Sequence, residues 1–452
     1  MRPLLYRAST RDDPLDTSPR ASVAVTVPAS GERRIDGLLA GPSWVEAPGE
    51  PVTLTYAFAE SADSYPSPYS AIGEPEAGFT PLSTSQRAAV REALGRWAAV
   101  ADIRFVETDE REGPATLRFA ATDAARTAQA YFPGEDAEAG DVWLSTSFPT
   151  EIAYEPGGYE FFVLLHEIGH ALGLKHPHEA ELRAVTLARA DDHLGFTVMS
   201  YRAYRGASVD RPFGGDDFPE TPMLGDIAAV RYLYGAARDT AAGDTVYRFE
   251  AGERIWRTLC DTGGTDTIDL SDLTRGVRLD LRPGAASAVG PPAETGGPPQ
   301  KLTLGIAPGT ILENAIGTER ADLVIGNAAD NRLEGGGGGD SLDGGEGDDT
   351  LDGGAGDDRL VGGAGEDRAL FAGASTDYRV KGSSGKLIVR DLDRRDGAEG
   401  RDVLREVELL AFADGTFTVA EILGRAASGF PRGSIEALGD LVTAPDAAAV
   451  LW

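Results

Sequence analysis

Between residues 335 and 370 the sequence repeats every nine residues, and this period constrains the fold more than any other feature of the chain. The four copies read GGGGGDSLD, GGEGDDTLD, GGAGDDRLV and GGAGEDRAL. Each has the form GGxGxDxUx, in which U is Leu342, Leu351, Leu360 or, more weakly, Ala369. One such repeat cannot bury an apolar face alone, so successive copies must stack. The xUx triplets then form short parallel strands around a thin apolar core, which predicts a β-roll.

The polar positions of the repeat predict calcium binding. Glycine permits tight turns whose backbone carbonyl groups point inward, and the aspartate at the sixth position adds a carboxylate oxygen. Ca²⁺ takes six to eight oxygen ligands. The predicted ligands are Gly335, Gly337, Asp340, Gly344, Asp349, Gly353, Asp358, Gly362 and Asp367. A flexible Gly/Asp linker is the alternative, and the strict period disfavours it.

Composition limits the classes of partner. The 452 residues suggest two or three domains, and the net charge of −31 argues against nucleic acid or an anionic membrane as a partner. No apolar run is long enough for a membrane span. Cys260 is the only cysteine, which excludes an internal disulfide. We expect a monomer.

The chain divides into four regions. Residues 1–34 are polar and predict a disordered N-terminal segment or pro-segment. Residues 35–240 mix strand and helix patterns, which predicts an α+β domain with helices at 83–101 (Ser83 as N-cap), 160–173 and 223–235. Residues 241–425 are rich in Gly, Asp and short β-forming triplets. Residues 426–452 form a separate tail.

Strands are predicted at VTLTYAFAE (52–60), DIRFVET, ATLRFAA and AQAYFPG. The last of these includes QAYFPG (129–134). It is either the edge of a sheet, able to pair with an extended peptide, or an internal strand.

The stretch HEIGHALGLKH (166–176) contains three of the five histidines. His166 and His170 are four residues apart, which places both rings on one helical face and suits two ligands on one metal. Glu167 points to a neighbouring edge, where it can contact a metal-bound water without being a ligand. Gly173 can end the helix in the left-handed conformation. His176 can then return to the metal and leave the fourth position open for water, as catalytic zinc requires.

This extended HExxHxxGxxH motif resembles that of the metzincin metalloproteases, in which a methionine turn follows. FTVMSY (196–201) matches that turn, with Met199 as its methionine. Tyr201 matches the tyrosine that reaches the metal in the serralysin and astacin branches; the alternative is a buried tyrosine beside the site. The resemblance implies hydrolysis of protein or peptide substrates at one catalytic Zn²⁺, with Glu167 as general base.

The repeats resemble the RTX repeats of serralysins and related secreted proteins. DTGGTDTIDLS (261–271) looks like the DxGGxDT calcium loop of that family, and GTILENAIG (309–317) resembles the segment before its roll. The additional calcium ligands that this resemblance implies are Asp261, Gly263, Gly264, Asp266 and Glu313.

Over about residues 35–425 the chain is therefore similar to a serralysin-type zinc protease. The resemblance implies an α+β metzincin-like catalytic domain followed by an all-β parallel β-roll/β-sandwich domain with several structural Ca²⁺ ions. It also implies an extracellular protein that the type I secretion machinery exports through a signal in residues 426–452.

Two other functions fit parts of the sequence. One is a calcium-dependent adhesion or matrix RTX protein with an inactive protease-like domain, and the presence of Glu167 counts against it. The other is an intracellular zinc peptidase, for which a calcium-loaded roll makes little sense at cytosolic calcium levels. His178 either meets substrate at the edge of the site or is a solvated loop histidine, and His193 is expected at the surface.

Overall fold

The computed structural model describes residues 24–109, 114–180, 182–209, 213–383, 385–392 and 399–427. Contacts divide the chain into two compact units. The first unit contains the residues up to 243 together with 254–264 and 283–310, and the second contains 244–253, 265–282 and the residues from 311 onward. Most of the predicted N-terminal segment (1–23) and of the predicted tail (428–452) lies outside the described residues.

The described helices, numbered in chain order, are α1 (Arg33–Asp36), α2 (Thr84–Ala98), α3 (Tyr159–Ala171), α4 (Leu224–Tyr234) and α5 (Val419–Ala427). The described strands are β1 (Val25–Thr26), β2 (Pro42–Ser43), β3 (Val52–Phe58), β4 (Ile103–Glu107), β5 (Leu117–Thr122), β6 (Ala128–Ala130), β7 (Val142–Ser145), β8 (Val246–Arg248), β9 (Arg257–Leu259), β10 (Thr267–Asp269), β11 (Arg278–Asp280), β12 (Ala286–Ser287), β13 (Leu304–Ile306), β14 (Asn314–Ile316), β15 (Leu323–Ile325), β16 (Arg332–Glu334), β17 (Gly337–Gly338), β18 (Ser341–Glu346), β19 (Thr350–Asp352), β20 (Ala355–Gly356), β21 (Arg359–Ala364), β22 (Arg368–Leu370), β23 (Tyr378–Ser383), β24 (Lys386–Asp391), β25 (Arg401–Arg405), β26 (Leu409–Phe412) and β27 (Gly415–Thr418). None of the helices in the described part of the chain has the length and apolar composition that a membrane span needs.

The first unit is built on a five-stranded sheet in the order β4-β3-β5-β7-β6. Every neighbouring pair is parallel except β6 and β7, which run antiparallel. Helix α3 packs against α2 and against β6 and β7. The core between these elements includes Trp97, Phe119, Leu144, Phe161 and Leu165. The helix that carries the HExxH residues is therefore held on several sides by packed apolar groups.

Local signals explain where the helices of this unit begin. The N–H of Gln86 donates to Ser83 Oγ at 3.3 Å, and the N–H of Ser83 donates to Gln86 Oε1 at 2.9 Å, so a capping box starts α2. The predicted stripe of Val90, Leu94 and Trp97 is at most 2% exposed. The prediction left open whether the 129–134 segment is an edge or an internal strand. The structure places β6 at the edge of the described sheet.

The second unit consists mainly of two sheets whose strands alternate along the chain. One has the order β27-β26-β22-β19-β16-β14-β10-β8, and the other β11-β15-β18-β21-β25-β24-β23. Within the repeats the strands pair in parallel, with Leu342 opposite Leu360 and Leu333 opposite Leu351. Two nine-residue repeats therefore make one turn, and the apolar residue of each triplet is at most 1% exposed. This arrangement is the stacking that the period of nine predicts.

The compact units differ from the predicted boundary in one respect. Residues 254–264 and 283–310 lie in the first unit, whereas the prediction placed all of 241–425 in the calcium-binding domain. The reason is packing: β12, β13 and β9 form a separate sheet, and Trp256, Cys260, Ala293 and Ala307 belong to the core of the first unit. The change of composition near residue 240 does not predict that these two later segments pack in the first unit.

Candidate active site

Three imidazole nitrogens converge at the end of α3. Nε2 of His166 lies 3.0 Å from Nε2 of His176 and 3.1 Å from Nε2 of His170, and the last two atoms are 3.0 Å apart. Three atoms with these separations can each lie about 2.0–2.1 Å from one centre, which is the usual Zn–N distance. The structure thus brings together the three residues that the motif predicts as zinc ligands.

The other nitrogen of the two helical histidines is held by the backbone. Nδ1 of His166 lies 2.8 Å from the carbonyl oxygen of Val198, and Nδ1 of His170 lies 2.8 Å from that of Leu174. Since a carbonyl only accepts, each Nδ1 must carry the proton and donate it. The Nε2 lone pair of each ring therefore points at the common centre, and backbone carbonyl groups often orient metal-binding histidines in this way.

Burial keeps these rings uncharged. It lowers the pKa of His166 to about 4 and that of His170 to about 3. The pKa of His176 is also lowered, by burial first and then by the neighbouring rings. Neutral rings that direct lone pairs at one another repel unless a cation lies between them. The donor set therefore fits one divalent ion, and three nitrogen ligands with an open position are typical of catalytic Zn²⁺.

The chain reversal that returns His176 to the centre depends on Gly173. This residue has φ +99°, its N–H donates to His170 O at 2.8 Å, and the N–H of Leu174 donates to Gly169 O at 2.9 Å. These two bonds are the Schellman ending of a helix. A Cβ at residue 173 would lie 2.6 Å from the carbonyl oxygen of Pro42. The conformation and the close approach both require glycine.

Replacing Gly173 with alanine is expected to lower the free energy of unfolding by about 2 kcal/mol, because the left-handed conformation alone costs about 1–2 kcal/mol and the methyl group meets backbone. Zinc affinity should fall with it. Urea unfolding and zinc titration measure the two effects. Gly95→Ala in α2 is the matched control, because a Cβ there meets nothing within 4 Å and alanine favours a helix. Unchanged stability and zinc affinity in Gly173→Ala would contradict the role of this turn.

Glu167 is the acid next to the predicted metal ligands. It is 8% exposed, and burial raises its pKa to about 8. A cation at the three nitrogens opposes that rise and favours the carboxylate. Glu167 can then accept a proton from a water at the open position.

Met199 and Gly169 pack together beside the histidines of α3. Met199 is fully buried, and a Cβ on Gly169 would lie 2.5 Å from its sulfur. The side chain predicted for the methionine turn therefore lies against the backbone of α3 beside the metal ligands. Gly169, which the sequence analysis did not single out, leaves the room for it.

Asp226 anchors the methionine turn. Its Oδ2 accepts the N–H groups of Val198 and Met223, each at 2.8 Å, and its Oδ1 accepts the hydroxyl of Thr197 at 2.5 Å. Burial raises the pKa of Asp226 to about 7. Through Val198 this residue sets the carbonyl that orients His166. The sequence analysis missed it, although a lone acid in the apolar segment MLGDIAAV (223–230) is a signal that could have found it.

Tyr201 lies at the open face of the centre. Its ring centroid is 4.2 Å from that of His176 and 5.7 Å from that of His166, and the residue is 40% exposed. Burial, followed by the charge of Glu167, raises the pKa of Tyr201 to about 12. The phenol therefore keeps its proton at neutral pH and can donate a hydrogen bond. The alternative expected a buried tyrosine, whereas Tyr201 is partly exposed. Zinc binding by Tyr201 stays a prediction.

The loop after His176 also faces the site. Nδ1 of His176 lies 2.8 Å from Glu179 Oε1. The ring of His178 is stacked on that of His176, with centroids 5.6 Å apart, and lies 5.4 Å from that of Tyr201. His178 thus lies beside His176 and Tyr201, and contact with a substrate stays a prediction. His193 accepts the N–H of Gly195 at 3.1 Å in a separate loop.

The predicted calcium ligands of the repeats form ladders in the second unit. Oδ1 of each aspartate accepts the N–H of the residue eighteen positions earlier, at 2.7–2.9 Å, for Asp340, Asp349, Asp358 and Asp367. Oδ2 of each of the four is buried and has no hydrogen-bond partner among the described residues. Burial raises the pKa of Asp340 and Asp349 to about 7 and that of Asp358 to about 6. Buried carboxylate oxygens of this kind fit a bound cation.

The leading glycine of each repeat borders these oxygens. An added Cβ would come within 3.0 Å of the carboxylate five residues later at Gly335, Gly344, Gly353 and Gly362. At Gly337 it would lie 2.8 Å from Glu319 Oε2. A side chain at any of the four leading glycines would fill the space beside an unpartnered Oδ2 atom, so glycine keeps this space open.

The ladders continue beyond the strict repeats. Oδ1 of Asp266 accepts the N–H of Thr245 at 2.8 Å, and the N–H of Asp266 donates to Glu313 Oε2 at 2.7 Å. At the other end, the N–H of Asp358 donates to Asp402 Oδ1 and that of Asp367 to Glu408 Oε2, each at 3.0 Å. Asp402 and Glu408 could not be found from the repeat pattern, because they follow an insertion and share no period with the repeats.

Asp261, Gly263 and Gly264 form a local turn in the first unit. The N–H of Gly263 donates to Asp261 Oδ1 at 3.0 Å, and φ is +151° at Gly263 and +130° at Gly264. Calcium binding by these three residues stays a prediction.

Comparison with known proteins gives two family matches. The Matrixin family matches residues 77–192, and the RTX calcium-binding nonapeptide repeat (4 copies) matches residues 316–351 and 334–369. The similar curated proteins include serralysin C of Dickeya chrysanthemi, 34% identical over 61% of this chain and 59% of the relative.

Two more relatives agree with the first. One is a serralysin of Photorhabdus luminescens, 34% identical over 57% of this chain and 55% of the relative. The other is metallopeptidase AprA of Pseudomonas marginalis, 33% identical over 63% of this chain and 62% of the relative. The chain spans about three fifths of the length of the curated relatives it matches. It thus carries a matrixin-type domain and RTX calcium-binding repeats and is similar to serralysins.

Proposed function

We propose that this chain is a secreted zinc-dependent endopeptidase of the serralysin type. The observation that carries the proposal is the triangle of Nε2 atoms from His166, His170 and His176, with sides of 3.0–3.1 Å, next to the buried acid Glu167. The matrixin match over residues 77–192 supports it, since that segment includes the whole motif. In this proposal a metzincin-like α+β domain precedes a calcium-stabilised β-roll/β-sandwich domain.

A bound Zn²⁺ would polarise the scissile carbonyl group and lower the pKa of a coordinated water towards 7. The remaining chemistry belongs to the chain. Glu167 accepts the proton of the attacking water and passes it to the departing amine. Tyr201, protonated at neutral pH, donates a hydrogen bond to the oxygen that becomes negative during attack. The carbonyl oxygens of Val198 and Leu174 orient His166 and His170, and the carboxylate of Glu179 lies 2.8 Å from Nδ1 of His176.

The sheet edge supplies a place for the substrate. Strand β6 pairs with β7 on one side, and no described strand covers its other side. An extended peptide can add to such an edge by main-chain hydrogen bonds. Helix α3 packs against β6, so a peptide bound there passes close to the metal centre.

In this proposal the second unit stabilises the protein by binding calcium, and its need for calcium suits an extracellular location. Ca²⁺ ions at the two ladders would satisfy the unpartnered oxygens of the repeat aspartates. A fold that needs millimolar calcium suits a protein that folds outside the cell. We therefore include in the proposal export by the type I secretion machinery, an extracellular location and a monomeric state.

The alternative of an adhesion or matrix protein with an inactive protease domain is less well supported. Such a protein would not need a buried acid beside three correctly oriented imidazoles, because burying that acid costs stability. Both Glu167 and the carbonyl partners of the histidines are in place.

Metal removal tests the proposal. Folded protein should contain one zinc ion per chain, and orthophenanthroline should remove it and abolish casein digestion, because the proposed hydrolysis depends on that ion. One equivalent of Zn²⁺ should then restore casein digestion, provided that Ca²⁺ is present throughout. The proposed zinc chemistry would be ruled out if folded protein contained no zinc, or if the chelator did not affect casein digestion.

A further inference from the structure

A pocket at the start of α3 has no part in the proposed hydrolysis. Its volume is about 400 Å³, which is in the range of small-ligand sites and ample for one long side chain. It belongs to the first unit and is lined by Tyr159, Glu160, Phe213, Gly215, Asp216 and Phe218.

The pocket and the metal centre share one face of α3. Tyr159, Phe162 and His166 follow one another at spacings of three and four residues, so they point in the same direction. The ring centroid of Phe162 is 6.1 Å from that of His166 and 5.1 Å from that of Phe218 in the pocket wall. An extended peptide advances about 3.3 Å per residue. A side chain two or three residues from the scissile bond can therefore reach the pocket.

The walls are aromatic. The centroids of Tyr159 and Phe218 are 5.4 Å apart, and those of Phe213 and Phe218 are 5.6 Å apart and nearly perpendicular. Such rings pack well against the methylene stem of a long side chain, and their faces attract a cation within about 6 Å.

The remaining lining is acidic. Glu160 is half-buried and Asp216 is exposed, and neither has a cationic partner among the described residues. A cationic side chain in the pocket would be attracted by both carboxylates, and an acidic side chain would be repelled. The net charge of −31 adds a long-range attraction for cationic peptides.

We propose that this pocket binds a lysine or arginine side chain of the peptide substrate, with its stem against the aromatic walls and its charge beside Glu160 and Asp216. This inference rests on the proposed function, because a substrate side chain reaches the pocket only when a peptide is bound at the metal centre. It makes the enzyme selective for basic residues close to the cleaved bond.

The test uses the full chain loaded with Zn²⁺ and Ca²⁺ and pairs of peptides that differ at one position, with lysine in one and norleucine in the other. Norleucine keeps most of the stem and lacks the charge. Cleavage-site profiling of a protein digest locates the scissile bond. The lysine or norleucine is then placed in turn at each of the three positions on either side of that bond. At one of these positions the lysine peptide should have a kcat/KM about tenfold higher than the norleucine peptide. An effect of this size is typical of one partly desolvated charge interaction.

The variant Glu160→Gln combined with Asp216→Asn should bring the ratio of the two kcat/KM values close to one, with zinc content unchanged. Glu155→Gln, at an exposed acid just before α3 that does not line the pocket, is the matched control and should keep the tenfold ratio. Raising the salt concentration should reduce the ratio in the parent protein.

Two results would overturn the inference. One is cleavage with no preference for lysine at any position, and the other is a preference that persists in the double variant, whether or not activity on both peptides falls equally. Both leave the proposed endopeptidase function intact. Failure to cleave any peptide by zinc-loaded protein would instead reject the proposed function, and this inference with it.

Discussion

Glu167→Gln is expected to keep one zinc ion per chain and to lose peptide hydrolysis by about 10³-fold or more in kcat, since removal of a general base typically costs about 10²–10⁴-fold. Glutamine has the same shape and keeps an oxygen, but it cannot take the proton of the attacking water. The three imidazoles and their carbonyl partners are untouched, so metal affinity should change little. Zinc content of the purified variant and single-peptide kinetics measure the two quantities separately.

Two variants show whether the loss is specific to this carboxylate. Glu167→Asp keeps the acid but shortens it by one methylene, so it should retain more activity than the glutamine variant. Glu155→Gln removes an exposed acid near the start of the same helix and should match the parent. Casein digestion at the parental rate by zinc-loaded Glu167→Gln would remove this residue from the mechanism.

Some parts of this site could be read from the sequence because they depend on local geometry. A helix places residues four apart on one face, and glycine alone accepts the φ of +99° found at Gly173. These two facts suffice to bring His176 to the ring nitrogens of His166 and His170. The repeat period likewise predicts the stack of parallel strands, because every second repeat returns to the same register.

Other parts could not be read because they depend on long-range packing. Asp226 reaches Val198 from a helix 28 residues later, and no spacing rule connects the two. Asp402 and Glu408 complete the ladders after an insertion that breaks the period. The membership of Trp256 and Ala293 in the first core also follows only from three-dimensional contacts.

Removing Ca²⁺ with a chelator at pH 8 is expected to unfold the second unit. The Oδ2 atoms of Asp340, Asp349, Asp358 and Asp367 are buried without a hydrogen-bond partner among the described residues. A buried, unpaired charge costs several kcal/mol, and four of them approach the about 5–15 kcal/mol that stabilises a typical domain. Far-UV circular dichroism should lose β signal, and hydrogen exchange should become fast in residues 311–370. Ca²⁺ at millimolar concentration should reverse both changes.

Substitution at neighbouring aspartates identifies the cause. Asp349→Asn removes the charge of a buried carboxylate in the ladder, whereas Asp348→Asn changes the adjacent, exposed one, whose Oδ1 likewise accepts a backbone N–H eighteen residues away. The first variant should need more Ca²⁺ to fold, and the second should behave like the parent. Equal calcium dependence in the two variants would show that the buried carboxylates are not the ligands.

The same carboxylates give the calcium-free protein a characteristic pH dependence. Burial raises the pKa of Asp340 and Asp349 to about 7 and that of Asp358 to about 6, whereas an aspartate in the unfolded chain titrates near 3.9. A raised pKa in the folded state means that the groups contribute their full stability below the unfolded value and lose it as the pH rises through about 6–7. In chelator the second unit should therefore keep more structure at pH 5 than at pH 8. With Ca²⁺ the order reverses, because the cation binds the ionised carboxylates and protons compete with it below pH 7. Calcium titrations followed by circular dichroism at the two pH values measure this reversal of the pH dependence. A calcium-free second unit that is more stable at pH 8 than at pH 5 would contradict the prediction.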